Sequence, residues 1–218
     1  MAKPERSAIS LATVHGYHSA MINPAVAPPM KKRPLKDIAA TVVARLDRPL
    51  TLVGLMGSGK SAIGRRIARA LKLEFADIDQ QVVDTAGISI AEIFEIAGEA
   101  KFREMERAAL AKTIADSPKI IATGGGAFCQ EDTAELMLQS SHVIWLKATP
   151  ETLLARIGNT KSRPLLDAGD PLVTLIKLLD QRTRFYQRAH IHIDTDGMTA
   201  QRAVRAMLES LDTFLGRQ

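Results

Sequence analysis

Leu50-Thr51-Leu52-Val53-Gly54-Leu55-Met56-Gly57-Ser58-Gly59-Lys60-Ser61 decides the fold of this chain. Its last eight residues fit the phosphate-binding pattern G-x-x-x-x-G-K-[ST] at every fixed position. Each residue type has a physical task. Glycines let the backbone curl until successive N–H groups face phosphate oxygens. Lys60 reaches the terminal phosphates, and the Ser61 hydroxyl is placed to ligate Mg²⁺. The flanks supply the required frame: Leu50–Val53 is a short apolar run with strand character, and helical periodicity begins at Ser61. A strand–loop–helix of this kind predicts ATP or GTP binding.

Outward from this loop, strand-like and helical stretches alternate. Strands are expected at Leu50–Gly54, Glu74–Ile78, Lys119–Ala122, His142–Lys147 and His190–Asp194. A helix with apolar spacing at Leu35, Ile38, Val42 and Leu46 leads into them. Ser89-Ile90-Ala91-Glu92 reads as a capping box, and Thr149-Pro150 places a capping hydroxyl before a first-turn proline. Such alternation implies an α/β fold, a parallel sheet covered on both faces, with ligands at the carboxyl ends of its strands.

Composition narrows the function. The chain has 218 residues and 46% apolar content, enough for one ordinary domain and a tail. Aromatic content of 4% disfavours a stacking platform for single-stranded nucleic acid. Residues 1–48 hold eight Lys/Arg against three Asp/Glu, the whole of the +5 net charge, while the remainder carries 21 of each sign. The body is therefore neutral, with no basic face for nucleic acid. No stretch approaches the ~20 apolar residues needed to span a bilayer. Cys129 is the single cysteine, which fits a reducing, cytoplasmic setting. Residues 1–35, with Pro4, Pro24, Pro28, Pro29 and Pro34, read as a flexible leader. A transit peptide is the alternative, and Met30 is a possible second start. Residues 36–218 read as a single domain.

Polar residues gather just past the expected strands. Asp77 and Asp79 lie two apart, so in a strand both carboxylates would share a face at the sheet edge. One could hold a metal's water shell and the other accept a proton from a substrate hydroxyl; a solvated turn is the plainer alternative. Gly124-Gly125-Gly126 suits close approach of a ligand to the main chain, or a tight left-handed turn. Arg103 could grip a carboxylate with Glu106 steadying it, although from local sequence an exposed helical ion pair is the simpler reading. Thr160–Leu165, between Gly158 and Gly169, reads as a lid carrying Arg163, or as an ordinary surface loop. Arg182, Arg184 and Arg188 are read along one helix, with one or two facing the site. His190 and His192 alternate on a strand, but no further ligands complete a metal site.

Taken together, these residues resemble the shikimate kinase family, from about Leu50 to about residue 212. The phosphate loop, Asp77-x-Asp79, Gly98-Glu99 with Phe102-Arg103 and Glu106, Gly124-Gly125-Gly126, Arg163-Pro164-Leu165 and Arg182-x-x-x-Tyr186 occur in the family's order and spacing. The resemblance implies a three-layer α/β/α P-loop kinase fold with a five-stranded parallel sheet, order 2-3-1-4-5, and a mobile lid at about 157–170. It implies ATP-dependent phosphorylation of the 3-hydroxyl of shikimate on the route to chorismate and aromatic amino acids, with Mg²⁺ as cofactor, in a cytoplasmic monomer that engages neither nucleic acid nor membrane. By the same resemblance, Gly57, Ser58, Gly59, Lys60, Ser61 and Ala62 hold the nucleotide phosphates and Arg156 lies against the adenine. Ser61 ligates Mg²⁺, and Asp77 supports its water shell. Asp79 binds the shikimate hydroxyls and can act as base, and Arg103 and Arg182 pair with its carboxylate. Gly124, Gly125 and Gly126 line the substrate, and Arg163 closes with the lid. Ala62 stands where the family often has Thr, and the leader has no counterpart in its minimal chain. Two other readings stay open: a kinase of this fold for another hydroxy acid such as gluconate, or a non-catalytic nucleotide binder.

Overall fold

The computed structural model describes residues 33–116, 119–158, 166 and 169–217. The leader expected at 1–35 lies outside them but for its last three residues, as do Arg163 and most of the lid. From Arg33 onward the chain forms one compact unit.

Helix α1 (Leu35–Arg45) precedes β1 (Leu50–Val53). The phosphate loop then opens α2 (Lys60–Leu71), followed by β2 (Phe75–Asp77), α3 (Ile78–Ala86) and α4 (Ile90–Ala115). Next come β3 (Ile120–Ala122), a 3₁₀ turn (Ala127–Cys129), α5 (Glu131–Ser140), β4 (His142–Lys147) and α6 (Pro150–Ile157). The chain closes with α7 (Pro171–Tyr186), β5 (Ile191–Asp194) and α8 (Ala200–Leu215). The five strands form one parallel sheet in the order β2-β3-β1-β4-β5, as the resemblance implied.

Strand alternation sorts the core into two layers. Leu50, Leu52, Ile144 and Leu146 face α1, α2 and α8, whose Val42, Ile67 and Leu211 are fully buried against them. Val53, Val143 and Trp145 face the other way, toward Met137 of α5 and Tyr186 at the end of α7. The edge strand β5 departs from the two-faced expectation: Ile191 and Ile193 are buried while His192 and Asp194 are exposed. An edge strand needs cover on one face only.

Local signals explain the helix ends. Ser89 accepts from the Glu92 N–H while the Glu92 carboxylate accepts from the Ser89 N–H, the reciprocal cap expected from the sequence. Thr149 caps α6, with Pro150 in its first turn. Gly98, at φ 78 and ψ 174, breaks α4 into two segments. The second segment restarts where a helix was expected and carries Arg103 and Glu106.

Candidate active site

The loop between β1 and α2 is shaped by its glycines. Gly57 (φ 79) and Gly59 (φ 91) take left-handed conformations, and a Cβ on Gly57 would lie 2.7 Å from the Leu153 carbonyl oxygen. Gly59 caps α2 without a side-chain acceptor, which leaves the first N–H groups of that helix for an anion. The Lys60 Nζ curls back over the loop, donating to the carbonyls of Gly54 (2.8 Å) and Leu55 (3.1 Å). Ser58 Oγ is buried without a hydrogen-bond partner among the described residues. Ala62 lines the same cavity, of about 610 Å³, and offers no hydroxyl.

Ser61 Oγ donates to Asp77 Oδ2 at 2.7 Å. These oxygens sit together beside the anion-binding helix terminus, an all-oxygen donor pair suited to a hard divalent cation that keeps most of its waters. The residues present therefore fit Mg²⁺. Asp77 and Asp79 do not share a strand face as expected. Asp77 ends β2, and Asp79 lies in the first turn of α3. The chain turns into the helix at Ile78, whose side chain is fully buried, and both acids still line the cavity.

The glycine run is required for space, not for backbone sign. None of Gly124, Gly125 and Gly126 has a positive φ, so the tight left-handed turn is ruled out. A Cβ on Gly124 would lie 2.5 Å from Glu106 Oε1 and 2.8 Å from Asp79 Oδ1, and one on Gly126 would lie 2.5 Å from Arg103 Nη2. Side chains of the site itself press against the run at both ends. A Cβ on Gly125 would meet nothing closer than 3.5 Å, the distance to Gly54 O and Met56 N of the phosphate loop.

Arg103 and Glu106 correct the plainer reading of an exposed pair. Arg103 donates to Glu106 at 2.7 Å and to Glu99 at 2.9 Å and 3.2 Å, and Glu106 is only 1% exposed. The kink at Gly98 and the burial of Phe102 turn this helix face inward. Burial pushes the Glu106 carboxyl up; the Arg103 ion pair opposes this and Asp79 adds to it. Glu106 Oε1 has no hydrogen-bond partner among the described residues.

Of the three arginines read on one helix, Arg182 turns to the site, donating to Gly125 O at 3.1 Å. Arg184 lies over Phe185, and Arg188, beyond the end of α7, pairs with Glu131. His190 precedes β5 and accepts from the Val143 N–H.

At the far end of the cavity, Arg156 is pinned by Thr195: Nη1 donates to Oγ1 at 2.9 Å and Nη2 to the carbonyl at 2.6 Å. Thr195 Oγ1 in turn donates to Lys147 O. Met198, Ala200 and Ala203 complete this wall. Sequence reasoning missed these residues. Thr195 directly follows a strand and so falls under the strand-end rule, whereas Met198 and the two alanines carry no chemical signal. No helix among the described residues is long and apolar enough to cross a membrane.

Known proteins share both fold and sequence. The Zymomonas mobilis shikimate kinase is 42% identical over 164 residues, covering 75% of this chain and 93% of that one. The structure of Acinetobacter baumannii shikimate kinase in complex with shikimate superposes with a TM-score of 0.74 at 34% identity, over 81% of this chain and 98% of that one. A Sinorhizobium meliloti gluconokinase, at TM-score 0.54 and 17% identity over 79% of this chain and 96% of that one, shares the fold alone. A sequence model of shikimate kinase matches residues 56–212, from the phosphate loop to the last helix, and the chain belongs to the shikimate kinase family.

Proposed function

We propose that the chain transfers the γ-phosphoryl group of ATP to the 3-hydroxyl of shikimate, giving shikimate 3-phosphate and ADP. One observation carries this reading: the phosphate loop and the two arginines Arg103 and Arg182 meet across a single glycine run. Gly125 lies next to Gly54 and Met56, where a Cβ would stand 3.5 Å from each, and its carbonyl accepts from Arg182, while Gly126 backs on Arg103. Donor and acceptor are thereby held side by side, which is most of what phosphoryl transfer asks of a protein.

In this reading the N–H groups of Gly57, Gly59, Lys60 and Ser61 surround the phosphates, and Lys60 exchanges its loop carbonyls for the transferring group. Ser61, and Asp77 through water, would hold Mg²⁺, which supplies neutralisation of the phosphate charge. Arg103 and Arg182 take the shikimate carboxylate. Asp79 orients the ring hydroxyls and accepts the proton of the attacking one. Arg156, held by Thr195, faces the adenine. Arg163 lies outside the described residues, and its part as the lid arginine rests on the family resemblance. Residues 36–218 act as one catalytic domain, with 157–170 as its lid and 1–35 as a leader outside catalysis. We place the enzyme in the cytoplasm as a monomer.

The test is ADP release across shikimate, quinate, gluconate and nucleoside monophosphates, with and without a chelator, on the full chain and on a variant lacking residues 1–35. Shikimate should turn over best, activity should vanish with chelator, and the shortened chain should keep its kinetics. Faster turnover of any other acceptor refutes the assignment; ATP binding without turnover favours the non-catalytic alternative.

A further inference from the structure

Tyr186 has no place in the mechanism above, yet its setting is unusual. It is the last residue of α7, fully buried, and its hydroxyl donates to Gly125 O at 2.5 Å. Arg182, one helical turn earlier, donates to the same carbonyl at 3.1 Å. The Tyr186 ring is held by Trp145 of β4, with centroids 5.6 Å apart and planes inclined by 31°. Burial pushes the phenol pKa far up, so the group remains a neutral donor.

A carbonyl oxygen has two lone pairs, and both are taken here. The shorter bond belongs to the rigid, packed tyrosine, and the longer one to the arginine. Arg182 also lies within hydrogen-bonding reach of the Tyr186 phenol, so the two side chains share the carbonyl as neighbours. Without the hydroxyl, the partly buried Gly125 carbonyl would be left with Arg182 as its donor and would draw the guanidinium inward. A Cβ on Gly125 would stand 3.5 Å from Gly54 O and Met56 N, so this residue lies next to the phosphate loop, and a shift of its carbonyl alters the spacing between the two halves of the site.

We propose that Tyr186 is a positioning residue for the acceptor: it satisfies the Gly125 carbonyl, fixes the glycine run against the phosphate loop, and leaves Arg182 free to engage the acceptor's carboxylate. The inference rests on Arg182 and the glycine run being the shikimate site.

Tyr186→Phe removes only the hydroxyl. Titration calorimetry with shikimate alone should show affinity lowered about tenfold, the scale of one buried hydrogen bond. The KM for shikimate should rise in parallel and the KM for ATP stay within about twofold. The same substitution in an Arg182→Lys background should cost less than about threefold, because the residue whose placement it controls is gone. Unchanged shikimate affinity, a parallel rise in the KM for ATP, or equal losses in both backgrounds would overturn the proposal. If the unsubstituted protein itself fails to bind shikimate, the acceptor site is misassigned. If it binds and Tyr186→Phe binds equally well, only the role of Tyr186 falls.

Discussion

Gly126→Ala isolates the packing of the acceptor arginine. The backbone at Gly126 (φ −103, ψ −13) accommodates alanine without strain. In the unfolded chain the substitution removes conformational freedom, worth about 0.4–1 kcal/mol in favour of folding. The conflict is local. The new Cβ would stand 2.5 Å from Arg103 Nη2, 2.9 Å from its Cζ and 3.1 Å from its Nη1. Ordinary contact begins at about 3.5 Å, so the guanidinium must retreat by about 1 Å. It has little room to do so, being bonded to Glu106 on one side and to Glu99 on the other. A displacement of that size in a substrate-positioning group costs about a hundredfold, or ~2.7 kcal/mol of transition-state stabilisation. We therefore expect kcat/KM for shikimate to fall about a hundredfold, with the KM for ATP within about twofold. The melting temperature should change little. Steady-state kinetics with each substrate varied, in single and double variants with Arg103→Lys, is the assay. Lysine has no Nη2 to collide, so the two losses should be strongly non-additive. A Gly126→Ala enzyme with normal shikimate kinetics, or losses that add in the double variant, would refute the reasoning.

Two further outcomes follow from titratable groups. Arg103→Ala leaves the Glu106 carboxylate buried and unpaired, so stability by urea unfolding should drop by about 3–5 kcal/mol. Because the folded-state pKa of Glu106 is already raised, the folded form binds the extra proton, and the deficit should shrink on acidification. Arg103→Ala/Glu106→Gln should regain most of the stability at neutral pH and none of the shikimate affinity; a double variant as unstable as the single one contradicts this. His190 Nδ1 accepts from the Val143 N–H at 2.9 Å and must be unprotonated to do so. Burial, then His142 and Arg48, holds its pKa below the ordinary value of 6.5. The unfolded chain thus binds more protons in the interval just below 6.5, and the stabilisation is lost as pH falls through it. His190→Asn, which can keep an acceptor, should flatten the unfolding midpoint between pH 7.5 and 5, and a slope identical to the parent's would argue against His190 as its source.

How much of this was legible in the sequence depended on whether a residue's chemistry or its surroundings gave it meaning. Backbone-driven features could be read directly. A glycine pattern that forces left-handed turns before a helix, a Ser-x-x-Glu cap and a Thr-Pro start all act over a few residues, and each stands where local rules put it. The strands could be read because a doubly covered sheet demands continuous apolar runs. Errors arose where tertiary contacts set the outcome. Asp79 lies beyond the strand, because β2 ends at Asp77 and the chain enters α3 at the buried Ile78. Arg103 and Glu106 looked like a solvated helical pair because nothing within four residues reveals that Gly98 bends α4 inward. The glycine run reads as room for a ligand, with a tight left-handed turn as the alternative, and nothing local shows that the side chains of Glu106, Asp79 and Arg103, distant in sequence, crowd against it. Tyr186 and Thr195 are the extreme case: a motif and a strand end mark their positions, but nothing local names the one carbonyl or guanidinium that each holds. The groups that do the chemistry are thus announced by residue type and spacing, and those that aim them become visible only once the chain is folded. Substitutions at the aiming residues should accordingly change KM for one substrate at a time, since each touches a single wall of the site.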